Sequence, residues 1–201
     1  MGITTHSLTL IESTLMYAKE NNVKIDSVME LGSQNLYADQ YPGNPYGSVY
    51  YQGKGIKYNC IDLNGENNAI KIDLEKPLPE FSTSQELNIK YNLLTDFGTS
   101  EHIRDAYVIN KTIYDLTEPD GYIIRENPKT GNWKDHGFNY VTMDFYRKLC
   151  SANNLKIILL SEHPAVGNIT DGWNVCCVMK KNSNSPFVSR EIFETFGIQK
   201  S

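Results

Sequence analysis

The fold of this chain is decided by the stretch Val28-Met29-Glu30-Leu31-Gly32-Ser33-Gln34. It is a short apolar run that ends in an acid and a glycine. A buried parallel strand has this pattern where its carboxyl end opens into a ligand crevice. Three later apolar runs also end at an acid, namely Asp62, Asp73 and Asp96. We therefore expect successive strands to bring carboxylates to one edge of a sheet.

Strand-like and helix-like segments alternate along the chain, which predicts an α/β fold with a mainly parallel sheet and helices on both faces. The apolar spacing predicts helices over 7–21, with Ser7 as N-cap, over 106–116, and over 142–152, with Thr142 as N-cap. The strands are expected at 26–31, 58–62, 69–74, 91–96, 122–125, 156–161 and 175–180. The last two strands are joined by a loop too short for a crossover helix, so we expect them to be antiparallel. A short terminal helix at about 189–197 is expected to dock on the body of the protein or on a second subunit, as in a homodimer.

Residues 37–56 depart from this alternation because prolines, glycines and five tyrosines replace a regular helix. Such a composition allows a helical turn at most, followed by an ordered loop. Two interpretations stay open for its tyrosines. They belong to a surface loop, or they form a lid or substrate wall.

The length of 201 residues fits one domain, spanning 1–201, and the net charge of −5 argues against non-specific nucleic-acid binding. No apolar run is long enough for a membrane span, and the N-terminus does not resemble a signal peptide. The four cysteines are not spaced as C-x-x-C, so we interpret them as reduced thiols of a cytoplasmic protein. The four histidines are scattered, and no metal site is predicted.

The type of ligand follows from what the crevice lacks. A dinucleotide needs the glycine-rich turn G-x-G-x-x-G for its pyrophosphate, and its second and third glycines are missing after Gly32. A phosphate-free adenosine ligand suits the edge better. Asp62 could accept both ribose hydroxyls, and Asp73 could accept from an adenine amino group. Glu30 and the backbone of 32–34 would face a cationic chain.

The chain resembles the class I S-adenosylmethionine-dependent methyltransferases between about residues 25 and 181. The segments 28–32, 58–64, 72–74 and 94–98 resemble the family's first four motifs, and 116–122 resembles its post-helix turn. The resemblance implies a Rossmann-like three-layer sandwich with a seven-stranded, mainly parallel sheet whose last strand is antiparallel. It implies S-adenosylmethionine as cofactor, bound by Glu30, Gly32, Ser33, Gln34, Asp62, Leu63, Asp73, Leu74, Asp96 and Phe97. Gln34 stands where the first motif usually has its second glycine, and it could instead hydrogen-bond the cofactor's carboxylate or amine.

Methyl transfer requires the protein to position the acceptor and, for some acceptors, to remove a proton. Candidate catalytic residues follow the fourth and fifth strands, at Glu101, His102 and His136. Candidate substrate-binding residues are Tyr37, Trp133, His136, Phe138 and Tyr140. The expected function is methylation of a small polar acceptor, such as a sugar or another metabolite. The alternatives are a non-catalytic binding or scaffold module on the same fold and, more weakly, a nucleic-acid or protein methyltransferase.

Overall fold

The computed structural model describes residues 2–78, 87, 89–165 and 172–200. One sheet contains the strands β1 (Ser27–Leu31), β2 (Lys57–Asp62), β3 (Ile70–Lys71), β4 (Tyr91–Phe97), β5 (Thr117–Pro128), β7 (Leu155–Pro164) and β8 (Trp173–Lys181). Their order across the seven-stranded sheet is β3-β2-β1-β4-β5-β8-β7. β8 pairs antiparallel with both β5 and β7, whereas the neighbours from β3 to β5 are parallel. The predicted fold class and the antiparallel last pair are confirmed.

Helices cover both faces of the sheet. They are α1 (Thr5–Glu20), α2 (Gly47–Gly53), α3 (Ala106–Leu116), α4 (Met143–Ala152) and α5 (Arg190–Glu194). Alternate strand residues belong to two apolar clusters: Val28 packs with α1 and α2, and Met29 packs with α3, α4 and α5. Cys176 and Cys177 divide between the clusters in the same way, and the four cysteines are buried free thiols. This two-sided burial explains the continuous apolar runs of the central strands, such as Leu93-Leu94 in β4 and Ile123-Ile124 in β5.

The helix starts depend on side-chain caps. Thr142 accepts a hydrogen bond from the amide of Phe145 and caps α4, as predicted. The prediction that Ser7 caps the first helix is wrong, because Thr4 is the cap and Ser7 lies in the first turn. Ser7 instead donates a 2.8 Å hydrogen bond to Glu126 on β5. The Thr4 and Ser7 side chains cap each other's backbone amides, so the helix can start earlier than the apolar spacing indicated.

The tyrosine-rich segment forms more structure than expected. Instead of a helical turn at most, it contains the seven-residue helix α2. Tyr50 and Tyr51 are buried in the core, whereas Tyr37 is 52% exposed. Gly55 adopts a positive φ of 72° just after the helix. The glycines and prolines therefore shorten this helix without abolishing it.

The end of the chain packs against the body of the same molecule. α5 is shorter than predicted, and its Phe193 is buried in the cluster with α3 and α4. The strands β6 (Asn139–Tyr140) and β9 (Gln199–Lys200) pair antiparallel, which the sequence analysis did not predict. β3 is also shorter than the expected 69–74. Within the described ranges, every helix is too short or too polar to cross a membrane.

Candidate functional site

A cleft of about 570 Å³ opens at the carboxyl ends of β1, β2 and β4. β1 and β4 are neighbours, and the connection after β1 leads to β2 on one side whereas the connection after β4 leads to β5 on the other. Ligands of open α/β sheets bind at such switch points. The cleft is lined by Gly32, Ser33, Gln34, Ile61, Asp62, Leu63, Ile72, Asp73, Leu74, Glu75, Gly98, Thr99, His102, Ile103 and Arg104. Seven of the ten residues expected to bind the cofactor are among them.

Asp62 is held at the end of β2 by backbone donors. Its Oδ2 accepts a 2.8 Å hydrogen bond from the amide of Ser33, and its Oδ1 accepts a 3.1 Å bond from the amide of Asn64. These bonds join the ends of β1 and β2 and fix the orientation of the carboxylate. Carboxylate oxygens have further lone pairs, so Asp62 can still accept hydrogen bonds from a ligand in the cleft.

The neighbouring wall of the cleft combines apolar side chains with one acid. Leu63, Ile72 and Leu74 supply the apolar surface. Asp73 accepts from the amide of Glu75 and lies 3.3 Å from the Lys76 ammonium. The backbone hydrogen bond, more than the lysine, lowers the pKa of Asp73. This carboxylate is therefore ionised at neutral pH and available as an acceptor.

The floor of the cleft is built around Gly32. This glycine has a positive φ of 75° and donates its amide to the carbonyl of Ile61. The Gln34 carboxamide lies over it and donates to the carbonyl of Leu31 and to Thr99 Oγ1, at 3.1 and 3.0 Å. A Cβ on Gly32 would lie 2.5 Å from both Gln34 Nε2 and Thr99 Oγ1. Gln34 thus fills space that a glycine at its position would leave open.

Glu30 does not line the cleft, contrary to the expectation that it faces a cationic chain. It is fully buried, and its Oε2 accepts hydrogen bonds from Tyr58 and from the amide of Gln34, at 2.6 and 3.1 Å. Burial raises the pKa of Glu30 to about 8, although both hydrogen bonds act in the opposite direction. At neutral pH the side chain is therefore mostly a neutral acid.

Asp96 and Phe97, which were also expected to bind the cofactor, lie outside the residues that line the cleft, although β4 ends at the same edge of the sheet as β1 and β2. Phe97 packs in the core, and Asp96 is buried against Arg125 and Ser100 at 2.9 and 2.6 Å. Burial alone would raise the pKa of Asp96, but the Arg125 guanidinium and the Ser100 hydrogen bonds hold it below its ordinary value. The sequence analysis missed Arg125 and Asn127, which complete this buried polar network.

The three candidate catalytic residues come together beside the cleft. Glu101 Oε1 lies 4.0 Å from Nε2 of His102 and 3.8 Å from Nε2 of His136. Asn127 donates to the other carboxylate oxygen of Glu101 at 3.3 Å. Burial lowers the pKa of His102, which lines the cleft. The two histidines were separate candidates in the sequence, and the structure places both against one carboxylate.

The candidate substrate-binding residues have different surroundings. Tyr140 is buried, donates to the carbonyl of Trp133 at 2.9 Å, and accepts from the amides of His136 and Gly137 at 3.1 Å each. Trp133 is also buried, so both aromatic side chains stabilise the loop after β5 and neither exposes its ring to a substrate. Phe138 stacks under the guanidinium of Arg104, with 4.2 Å between the guanidinium carbon and the ring centroid. Tyr37 is exposed and does not line the cleft.

No protein-family model matches the sequence, and no curated protein matches it. Solved structures do resemble it. The N1-methyltransferase of 1,6-didemethyltoxoflavin from Burkholderia thailandensis, solved with that compound and S-adenosylhomocysteine, aligns with a TM-score of 0.55 at 11% identity, over 86% of this chain and 77% of that chain. The N-methyltransferase NodS of Bradyrhizobium japonicum, solved with S-adenosylhomocysteine, aligns with a TM-score of 0.51 at 10% identity, over 87% of each chain.

A SAM-dependent methyltransferase from Methanosarcina mazei aligns with a TM-score of 0.51 at 10% identity, over 81% of this chain and 96% of that chain. At these identities the likeness concerns the fold. The chain therefore has the fold of the class I S-adenosylmethionine-dependent methyltransferases.

Proposed function

We propose that this protein is an S-adenosylmethionine-dependent methyltransferase that acts on a small polar acceptor. The observation that carries the proposal is the position of Asp62, a backbone-anchored carboxylate at the end of β2 beside the switch-point cleft. A carboxylate there suits a ribose, and the cleft lacks the successive glycines that a pyrophosphate needs. Its volume of about 570 Å³ is in the range of small-molecule sites.

The cofactor fits the residues of the cleft at its nucleoside end. Asp62 would accept from the ribose hydroxyls, and Asp73 from the adenine amino group. Leu63, Ile72 and Leu74 offer the apolar surface that the adenine ring needs. At the amino-acid end, the Gln34 carboxamide would exchange its contact with Thr99 for one with the cofactor.

S-adenosylmethionine, when bound, supplies an electrophilic methyl group. The chain's own residues then have to orient the acceptor and accept its proton. His102 lines the cleft, and its lowered pKa keeps the imidazole neutral at pH 7, the form in which it can take up a proton. His136 lies next to it, with 5.0 Å between the ring centroids, and both imidazoles lie within 4.0 Å of the buried Glu101 carboxylate.

One observation favours a second candidate, a non-catalytic binding module. Gln34 and Thr99 occupy the space above Gly32, as an altered cofactor site would require. A protein of this kind would keep the fold but would not bind S-adenosylmethionine. We propose the enzyme first, because the Asp62 side of the cleft is intact.

Calorimetric titration of the purified protein with S-adenosylhomocysteine and S-adenosylmethionine tests the proposal. We expect one site per chain, with saturable binding of both compounds. Adenosine alone should bind more weakly, because it lacks the amino-acid end. If neither cofactor binds at millimolar concentration, the methyltransferase proposal is wrong and the binding module is favoured.

The small-acceptor part of the proposal has its own test. Incubation with a radiolabelled methyl donor and a panel of sugars and polar metabolites should give a labelled small molecule. Label that appears only in protein or nucleic acid would contradict this part and leave the cofactor assignment standing.

The four buried thiols favour a reducing compartment, and we propose the cytoplasm.

A further inference from the structure

A buried carboxylate oxygen faces two imidazole nitrogens beside the cleft. Glu101 is 1% exposed, and its Oε1 lies 3.8 Å from Nε2 of His136 and 4.0 Å from Nε2 of His102. Among the described residues, neither Glu101 Oε1 nor His136 Nε2 has a hydrogen-bond partner, although both atoms are buried. Buried polar atoms in native proteins are nearly always paired. A ligand that binds the Glu101 oxygen and the two imidazole nitrogens at once would give these buried atoms the partner that they lack.

We propose that Glu101, His102 and His136 bind one divalent transition-metal ion, with Zn²⁺ or Mn²⁺ as the expected ions. Two imidazoles and one carboxylate are a common donor set for such ions. One donor atom from each residue lies within 4.8 Å of the others. Ligand atoms around an ion with bonds of about 2.1 Å lie roughly 3–3.4 Å apart. The carboxylate and each imidazole therefore need to close by roughly 0.5–1 Å, and the two imidazoles by at most roughly 1.8 Å.

The surroundings hold the carboxylate in place for this role. Asn127 donates to Glu101 Oε2, which leaves Oε1 free for an ion. The amide of Phe138 donates to the Glu101 carbonyl at 2.7 Å, and a Cβ on Gly137 would lie 2.9 Å from the same oxygen. The loop after β5 therefore packs directly on Glu101, and this packing brings His136 to the site. Outer contacts of this kind orient metal ligands.

The charge and access of the site also suit a cation. With neutral imidazoles the three side chains carry one negative charge. The nearby Arg125 guanidinium is paired with Asp96, so its charge is compensated. His102 has a side chain that is 45% exposed and lines the cleft, which provides an entry path. Three protein ligands leave at least one coordination position open.

A second cluster of potential ligands is less suited to a metal. His6, Glu126, His163 and Cys176 also lie within 4.8 Å of one another. However, the rings of His6 and His163 are stacked, with centroids 3.7 Å apart, so their lone pairs do not converge on one point. Glu126 already accepts from Ser7 and Asn174, at 2.8 and 2.9 Å. This cluster therefore serves as an internal control.

The open positions give the ion a use in the reaction. Metal binding stands on the geometry of the three side chains alone, whereas its use in catalysis rests on the proposed function. A hydroxyl oxygen of the acceptor bound at an open position would lose its proton to solvent at a lower pH, so in the metal-bound protein the ion activates the hydroxyl and His102 serves as its ligand instead of as the base. The acceptor class is then a molecule with a hydroxyl group, or two adjacent oxygens, that can reach the ion.

Metal binding can be measured without cofactor or acceptor. Chelator-treated protein is titrated with Co²⁺ and followed by visible absorption, and then with Zn²⁺ in competition. We expect one equivalent of Co²⁺, displaced by Zn²⁺. Glu101→Gln and His136→Gln should each weaken binding by at least about 100-fold, the upper range for loss of an outer-shell partner, because each removes a ligand itself. The control His6→Gln, in the second cluster, should leave the affinity unchanged.

The results of these titrations distinguish failure of the metal site from failure of the proposed function. Absence of Co²⁺ and Zn²⁺ binding at millimolar concentration, or loss of binding in His6→Gln alone, would overturn the metal site. If Glu101→Gln does not fold by circular dichroism, the half-exposed His102→Gln carries the same expectation. S-adenosylhomocysteine is titrated separately into metal-free protein. Its binding without metal binding refutes the metal site alone, and metal binding without it refutes the proposed function alone.

Discussion

The carboxylate of Asp96 lies 2.9 Å from Nε of Arg125, and the two side chains are 0% and 3% exposed. The residues are register partners on the parallel strands β4 and β5. Arg125 also donates to Asn110 on α3 and to Ser100 after β4, at 2.6 and 2.7 Å. This network fixes the start of the segment that carries Glu101.

We expect Arg125→Met to lower the free energy of unfolding by about 3–5 kcal/mol, because it leaves the buried Asp96 charge without a partner. Guanidinium denaturation followed by circular dichroism measures the change. The control is Lys148→Ala, which breaks an exposed pair with Asp144 at 2.8 Å and should cost less than about 0.5 kcal/mol. Equal effects of the two substitutions would show that the buried pair does not stabilise the fold.

Asp62→Ala should weaken S-adenosylhomocysteine binding by about 1.5–3 kcal/mol, the range for hydrogen bonds to a charged group. Calorimetry on the folded variant measures the change. The matched control is Asp26→Ala, whose carboxylate pairs with Lys24 at 3.0 Å just before β1, at the opposite end of that strand from the cleft. An unchanged affinity in Asp62→Ala would mean that the ribose is bound elsewhere.

The sequence predicted the sheet well because the strand signal is local. Apolar runs that end at Leu31 and Asp62 mark β1 and β2 within a residue of where the structure has them. Both ends of helix α3 were predicted correctly, since its apolar spacing extends from Ala106 to Leu116. The start of α1 was predicted wrongly, because Ser7 bonds to Glu126 and Thr4 is the cap, so the helix begins at Thr5.

The fates of the strand-end acids could not be predicted, because they depend on partners distant in sequence. Asp96 is paired with Arg125, 29 residues away, and Glu30 is enclosed by Tyr58, 28 residues away. Nothing near Asp62 distinguishes it from them in the sequence. The meeting of His102 with His136 depends likewise on a loop that packs across Glu101. One signal was available, since the charged Arg125 directly follows the apolar run Tyr122-Ile123-Ile124.

Gly32→Ala should destabilise the protein more than Gly55→Ala. Both glycines have a positive φ, 75° and 72°, so both substitutions carry the left-handed penalty of about 1–2 kcal/mol. Only at Gly32 does the new Cβ meet atoms at 2.5 Å, whereas nothing lies within 4 Å of it at Gly55. The difference between the two unfolding free energies isolates the steric contact with Gln34 and Thr99. If the two variants are equally stable, the side chains above Gly32 move aside without cost.

The buried Glu30 carboxyl should make the free energy of unfolding fall as the pH rises toward 8. Its pKa is about 8 in the folded protein, because burial disfavours the carboxylate, and about 4.3 in an unfolded chain. The folded state therefore holds the Glu30 proton more tightly, so the stabilisation that Glu30 contributes is fully present below its unfolded pKa and is lost as the pH rises through 8. Each pKa unit of difference corresponds to about 1.4 kcal/mol.

Glu30→Gln should remove this pH dependence and leave the protein more stable than the native chain at pH 9. Urea denaturation at pH 5, 7 and 9 measures it. The control Glu12→Gln changes a side chain that is 52% exposed and should leave the pH profile as it is. Parallel pH profiles for the native chain and Glu30→Gln would contradict the assignment of the proton to Glu30.

Tyr140→Phe tests whether one hydroxyl organises the loop that carries His136. That hydroxyl satisfies three backbone groups, so its loss should cost about 1–3 kcal/mol in local stability. The amides of His136 and Gly137 should then exchange with solvent faster, which hydrogen–deuterium exchange measures by peptide. Tyr37→Phe, on an exposed side chain, is the control and should leave their exchange unchanged.

Since Asp62 is on another part of the cleft, the S-adenosylhomocysteine affinity of Tyr140→Phe should stay the same while its turnover falls. A loss of cofactor affinity instead would mean that the loop closes over the nucleoside end.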